Sequence, residues 1–347
     1  MKKKLALLLS CIMMLSMTAC SESANVQVDT PSASSSGAVA AENVVKIATT
    51  GTSTQPPSLA TQDFMAEVEN NSDGKYKFEL YDSSTLGSDS DILQQVIDGT
   101  LQISAVGGTT FSMYTDLLNV LSIPFLLTDY DKEYAAISSP EYQAICDKVG
   151  EDLGIKILFT SENGIRHFAT VNKPINSVED MKGLKIRIPT STVLDLTIKA
   201  LGANPQTIAY SELYSALQNH IIDGEEVNYS TLAGQHHYEV AKNVTEVGMY
   251  CFSGILIANL DWWNSLSEDE QKMFEEAGDL AEKNTFEKYV IELDESSRKT
   301  CEENGMEIVT LDDAKLQEFK DATAQIVDDY AQKDQLIADF VEMARGL

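Results

Sequence analysis

The sequence predicts an α/β protein of two lobes with a cleft between them. Three observations lead there. Short segments of strand character alternate with helical ones, the pattern continues for about 300 residues, and one unusually long helical period comes late in the chain. In the first part, residues 44–50 read as a strand and 59–69 as a helix. Residues 77–81 alternate polar and apolar as a strand does. Helical spacing at Leu93, Val96 and Ile97 places a helix over 91–98 that stops at Gly99, and 103–106 form a strand ending in Gly107-Gly108. The second part repeats the style, with strands over 156–159, 167–171, 184–188, 243–248 and 255–259 and helices over 192–201 and 211–219. Such alternation implies parallel sheets flanked by helices, which present ligands beyond the carboxyl ends of their strands.

Past residue 266 the pattern becomes helical. Ser267 and Glu270 form a capping box, and Met273, Phe274, Ala277, Leu280 and Ala281 follow at helical spacing towards Cys301. Gly305 suits the C-cap. At ~1.5 Å per residue this helix reaches ~55 Å, long enough to cross both lobes, with or without a kink. Two shorter helices close the chain, over 312–329 and 333–345.

The N-terminus has a different character. Lys2, Lys3 and Lys4 precede an apolar run over residues 5–17 that is too short to span a bilayer stably. This is the layout of a secretory signal peptide, over residues 1–19. Met17-Thr18-Ala19-Cys20 resembles the lipobox of bacterial lipoproteins, with Met17 where Leu is usual. It implies acylation of Cys20; the alternative is plain secretion with Cys20 a bystander. Ser, Ala and Gly then dominate, and residues 20–43 read as a flexible tether. The expected location is extracytoplasmic, lipid-anchored on the outer face of the cytoplasmic membrane or in the periplasm. Cys146, Cys251 and Cys301 remain in the folded body, an odd number with no paired spacing, expected as small buried hydrophobes.

A net charge of -29 argues against nucleic acid as a partner. It also means that any anion this chain binds must meet local, buried positive charge. Enzyme signatures are missing: there is no G-x-S-x-G elbow, no H-E-x-x-H and no P-loop. His236-His237-Tyr238-Glu239 has the residue types of a metal site, but adjacent side chains diverge, so no metal, cofactor or catalysis is expected.

The segment from Arg166 to Asn228 carries the most specific pattern. It holds Gly164-Ile165-Arg166, the run DMKGLKIRIP over residues 180–189, and Leu201-Gly202-Ala203-Asn204-Pro205. YSELYSAL over 210–217 and Asp223-Gly224-Glu225-Glu226 follow. Leu86-Gly87, residues 96–99 and Ile123-Pro124-Phe125 lie upstream, and Trp262, Trp263 and Leu266 downstream. In this order and spacing the chain resembles the extracytoplasmic solute receptors of tripartite ATP-independent periplasmic (TRAP) transporters over essentially its whole mature body.

That resemblance implies a periplasmic-binding-protein-like fold of the class II type, closing around a small carboxylate and delivering it to TRAP permease subunits, as a monomer. The long helix links the lobes. Lobe I is expected over residues 44–163 plus about 253–291, and lobe II over 164–252 plus about 292–347. Arg187, near the end of its strand, is the expected carboxylate clamp, since a guanidinium grips a carboxylate through two parallel hydrogen bonds. Arg166 either touches the same carboxylate or braces Arg187. Tyr210 either stacks on the ligand or fills a core, and Thr190 either bonds the ligand or caps the next helix. Val227 stands where relatives often have Asn, so Asn228 is the candidate amide. From the first lobe, contacts are expected from Asp89 and from Gly107 to Thr110. An acid such as Asp89 beside an anion makes sense if ligand hydroxyls donate to it. This favours sugar acids, uronates or aldonates, over plain dicarboxylates. A keto-acid receptor, the binding protein of an ATP-driven importer and a sensor accessory remain as alternatives.

Overall fold

The computed structural model describes residues 43–347, so the expected signal peptide, Cys20 and the tether up to residue 42 lie outside the described residues. The chain opens with β1 (Asn43–Thr49), α1 (Pro56–Asn71), β2 (Tyr76–Tyr81), α2 (Asp89–Ile97) and β3 (Ile103–Gly107). Helices α3 (Tyr130–Ile137) and α4 (Pro140–Leu153) precede the long strand β4 (Ile155–Ile165). Then come β5 (His167–Thr170), β6 (Lys185–Ile188), α5 (Thr192–Ala200), β7 (Asn204–Thr207), α6 (Leu213–Gln218), β8 (Gly224–Val227) and α7 (Tyr229–Gly234). Strands β9 (Asn243–Glu246) and β10 (Cys251–Asn259) lead to α8 (Leu260–Asn264), α9 (Glu268–Asn284) and α10 (Val290–Glu303). Strand β11 (Glu307–Thr310) and helices α11 (Asp313–Ala331) and α12 (Gln335–Arg345) end the chain.

Two sheets result, one per lobe: β2-β1-β3-β10-β4, and β11-β9-β5-β8-β6-β7. Neither is purely parallel, contrary to the sequence expectation. In the first sheet β10 runs antiparallel to β3 and β4; in the second, β5 runs antiparallel to β8 and β9. The reason is that the chain crosses between sheets twice. It passes from β4 straight into β5 through Arg166, and it returns from β9 to β10 through residues 247–250. The crossings lie side by side, the Arg166 amide donating to Tyr250 O at 2.8 Å and the Met249 amide to Arg166 O at 2.9 Å.

The late helix forms as expected. Ser267 accepts from the Glu270 amide in a capping box, and helicity runs from Glu268 to Glu303 with one π turn at Thr285–Tyr289. Its first half packs on α1 and β4, its second on α7, so it forms a third link between lobes. In the first lobe Phe64 on α1 meets Phe274 on α9 at 5.8 Å and Phe159 on β4 at 5.9 Å. This aromatic packing fixes α1 and hence the loop at its N-terminus. Helix α11 packs on α5, whereas α12 packs on α3 and α4 beside the first sheet. The division expected from sequence order placed α12 with the second lobe; its amphipathic face, through Ile337, Phe340 and Val341, is buried in the core shared with the first.

Candidate functional site

The strand ends and crossings converge on one cavity, with about 730 Å³ of atom-free space when its open mouth is included. Arg187 and Arg166 both reach it, along with Asp89, Gly107, Thr110 and Tyr210. Six of the eight expected ligand contacts are therefore brought together. Asn228 and Thr190 are not among its lining.

The two arginines differ in what the protein already gives them. Arg166, 3 % exposed, makes four hydrogen bonds to its own protein, against five N–H groups. Its Nε donates to Glu226 Oε2 at 2.7 Å and one terminal nitrogen to Oε1 and to the Glu226 carbonyl, both at 2.8 Å. The other terminal nitrogen donates to Asn228 Oδ1 at 2.9 Å, and the guanidinium lies 4.4 Å above the Phe252 ring. Burial alone would lower the Arg166 pKa, but the Glu226 carboxylate and Tyr250 outweigh it and hold the group above its ordinary value. Arg187, 5 % exposed, has one hydrogen bond among the described residues, from Nε to Ile208 O at 3.0 Å. Burial lowers its pKa, against the opposing pull of Glu226 and Glu225. Its outer N–H groups are thus available to an incoming acceptor.

The backbone explains why Arg166 is held so firmly. Gly164, at φ +128°, leaves room for the Asn228 amide, which a Cβ there would meet at 2.8 Å. Asn228 also donates to Asn163 O and to Ser230 Oγ, so it belongs to the support of Arg166. Gly107 serves Phe252 likewise, since an added Cβ would stand 2.9 Å from Phe252 Cζ. The Gly107 amide is not free for an anion: it donates to Asp89 Oδ1 at 3.2 Å. Asp89 also accepts from Thr50 Oγ1 at 3.1 Å. Its pKa is raised by burial despite these bonds and the field of Arg187.

Tyr210 faces the cavity, and its hydroxyl accepts from Gln55 Nε2 at 3.0 Å. The same nitrogen lies 3.2 Å from Thr231 Oγ1, so Gln55, just before α1, ties the first lobe to the second. Thr190 sits in a neighbouring surface groove with Ser112 and Asp195, and the cap of α5 is the adjacent Ser191, which accepts from the Leu194 amide at 3.1 Å. The Pro189 turn carries Thr190 away from the cavity mouth. Sequence reasoning missed Gln55, Ser58, Glu225 and Phe252, which line the cavity together with Thr109 from the expected stretch Gly107 to Thr110. Three of these present buried polar atoms with no partner: Ser58 Oγ, Thr109 Oγ1 and Glu225 Oε2. The glutamate pair of Asp223-Gly224-Glu225-Glu226, two adjacent acids ahead of Val227, is the available signal.

A buried charged pocket between two lobes, with one arginine bound up by Glu226 and Asn228 and another held open, is receptor architecture. Residues 47–334 match the bacterial extracellular solute-binding protein family 7, DctP. The chain belongs to that family. It is 30% identical over 234 residues to the C4-dicarboxylate-binding periplasmic protein DctP of Vibrio cholerae, covering 67% of this chain and 70% of that one. Among solved structures it resembles the TRAP periplasmic solute-binding protein of Haemophilus influenzae with bound L-gulonate, at a TM-score of 0.83 and 26% identity. That match covers 87% of this chain and 99% of the other. The counterpart from Anaerococcus prevotii with bound α/β D-glucuronate gives a TM-score of 0.82 at 26% identity, over 87% and 97% of the two chains. The two-lobe fold and the solute-binding class follow.

Proposed function

We propose that this protein captures a hydroxylated monocarboxylate, a sugar acid such as a uronate or aldonate, and hands it unchanged to TRAP permease subunits. The observation that carries this is Arg187. It is a buried guanidinium with open N–H groups, in a cavity whose other arginine is committed to Glu226. One carboxylate is therefore matched by charge. The hydroxyls of Ser58 and Thr109, buried and unpartnered, call for further polar groups on the ligand. The relatives with gulonate and glucuronate bound fit this reading.

A C4-dicarboxylate is the second reading, favoured by the Vibrio cholerae relative. Its second carboxylate would find no second arginine as open as Arg187 in the cavity, whose lining also holds Asp89. The ligand contacts assigned are Arg187, Tyr210, Asp89, Thr110, Ser58 and Thr109. Arg166, braced by Glu226 and Asn228, positions the strand crossing and borders the carboxylate.

Acylation of Cys20 would hold the receptor, a monomer, on the outer face of the cytoplasmic membrane or in the periplasm; mass spectrometry of the mature N-terminus tests it. None of the helices among the described residues is long and apolar enough to cross a membrane. A thermal-shift screen against sugar acids, C4-dicarboxylates, keto acids and neutral sugars tests the substrate class, since a ligand at 100 times its Kd stabilises by about 2.7 kcal/mol. Stabilisation confined to hydroxylated carboxylates supports the proposal, and stabilisation by neutral sugars alone removes it.

A further inference from the structure

Glu225 is a buried acid in the ligand cavity that carboxylate binding by itself does not explain. Its side chain is 0 % exposed and lies on β8, in register with Arg187 on β6. Parallel neighbours in register sit about 4.8 Å apart, so the two side chains approach the cavity side by side. Yet they form no ion pair. Glu225 is engaged instead by His237, whose Nδ1 lies 2.8 Å from Oε1, the Nδ1–H tautomer donating to the carboxylate. His237 is itself 1 % exposed, so this contact fixes the carboxyl and prevents it from swinging out to water. Oε2, the other oxygen, has no partner.

An acceptor buried without a donor is costly, and the residue that carries it is part of the lining of the ligand cavity. Beside it stand the open N–H groups of Arg187. The cavity therefore offers donors at one point and an acceptor immediately next to it. A molecule that satisfies both carries a carboxylate and, close by on its carbon chain, a hydroxyl.

Building on the sugar-acid reading, we propose that Glu225 is a specificity-determining residue. Its Oε2 accepts a hydrogen bond from the ligand hydroxyl nearest the carboxylate held by Arg187. His237 positions it, and the pair selects hydroxylated monocarboxylates against C4-dicarboxylates. A second ligand carboxylate at this point would face an acceptor, Glu225 Oε2, while the Nε and one terminal nitrogen of Arg166 are already bonded to Glu226. Sites built around a buried polar partner reject analogues lacking the matching group far more strongly than apolar pockets do.

The test is a set of calorimetric titrations of the purified protein and of Glu225→Gln. The probes are L-gulonate and 2-deoxy-L-gulonate, D-glucuronate and 4-deoxy-D-glucuronate, and succinate. In each sugar-acid pair the missing hydroxyl is the one nearest the carboxylate. For the natural protein, removing it should weaken binding at least about tenfold, and succinate should bind at least about 100-fold more weakly than the better sugar acid. In Glu225→Gln the deoxy penalty should shrink to within about threefold, while succinate binding stays equal or improves. The ligand pairs read out the hydroxyl in the natural protein, so the inference remains testable if the variant folds poorly. A full deoxy penalty in Glu225→Gln, or none in the natural protein, would overturn the role of Glu225 while leaving the sugar-acid reading intact. Tight succinate binding with no response to either sugar acid would overturn both.

Discussion

The contrast between the two arginines gives a sharp experiment, because one change removes binding and the other removes stability. Consider Arg187→Met, which keeps an apolar stem. Folding loses the single bond to Ile208 O, about 1 kcal/mol, and is relieved of a buried guanidinium whose pKa is depressed by desolvation. These effects oppose each other, so the ligand-free melting temperature should stay within about 3 °C. Two charge-assisted hydrogen bonds to the ligand are lost, at roughly 1.5–3 kcal/mol each, which weakens binding about 10²- to 10⁴-fold. Arg166→Met should do the reverse. It strands the Glu226 carboxylate, 0 % exposed, with Tyr250 as its remaining donor. Breaking a buried pair in this way costs about 3–5 kcal/mol, a fall of about 6–15 °C. Differential scanning calorimetry without ligand and isothermal titration with a bound sugar acid give both numbers. If Arg187→Met melts as low as Arg166→Met, or binds ligand as tightly as the natural protein, the division of labour between them is wrong.

Three further outcomes are expected. Glu282 is raised from 4.5 to about 7 by burial, against the hydrogen bond from the Thr160 amide. Between those values the folded chain keeps a proton that the unfolded chain has released, so stability is gained as pH falls through 7. Glu282→Gln should raise the melting temperature at pH 8 and leave it nearly unchanged at pH 5; a pH-independent difference would contradict this. Gly107→Ala should displace Phe252 from beneath Arg166 and cost about 1–3 kcal/mol of stability along with ligand affinity, measurable by the same two methods. Gln55→Ala removes bonds that join the lobes at Tyr210 and Thr231, and should weaken binding about 5- to 30-fold. Small-angle scattering should show the natural protein contracting on saturation, and the variant less so at equal ligand concentration.

Much of the fold is legible in the sequence because its elements follow ordinary rules. The capping box at Ser267 starts the late helix, and apolar periodicity carries it to Glu303. Strand β8 was not legible as a strand. Its sequence Gly-Glu-Glu-Val reads as a polar loop, yet all four residues are buried, because Arg166 neutralises Glu226 and His237 engages Glu225. Partners 60 and 12 residues away in sequence make this possible, and spacing does not reveal them. Strand β7, with Pro205 at the sheet edge, and β11 are too short for a hydropathy pattern. The site was legible to a similar degree. Arg187 stands on strand β6 and Arg166 at the crossing between β4 and β5, both next to strong motifs, whereas Gln55 and Ser58 come from the start of α1, where nothing in the sequence marks a contact. Thr190 illustrates the reverse: one residue beyond Pro189, a turn whose exit direction sequence does not give, it leaves the cavity.

The most direct measurement is isothermal titration of the purified protein with D-glucuronate and L-gulonate, set against glucose as the neutral control. Binding of at least one acid with 1:1 stoichiometry, and no heat from glucose, is the expected result. Glucose binding while both acids remain silent would contradict a cavity organised around Arg187 and a carboxylate.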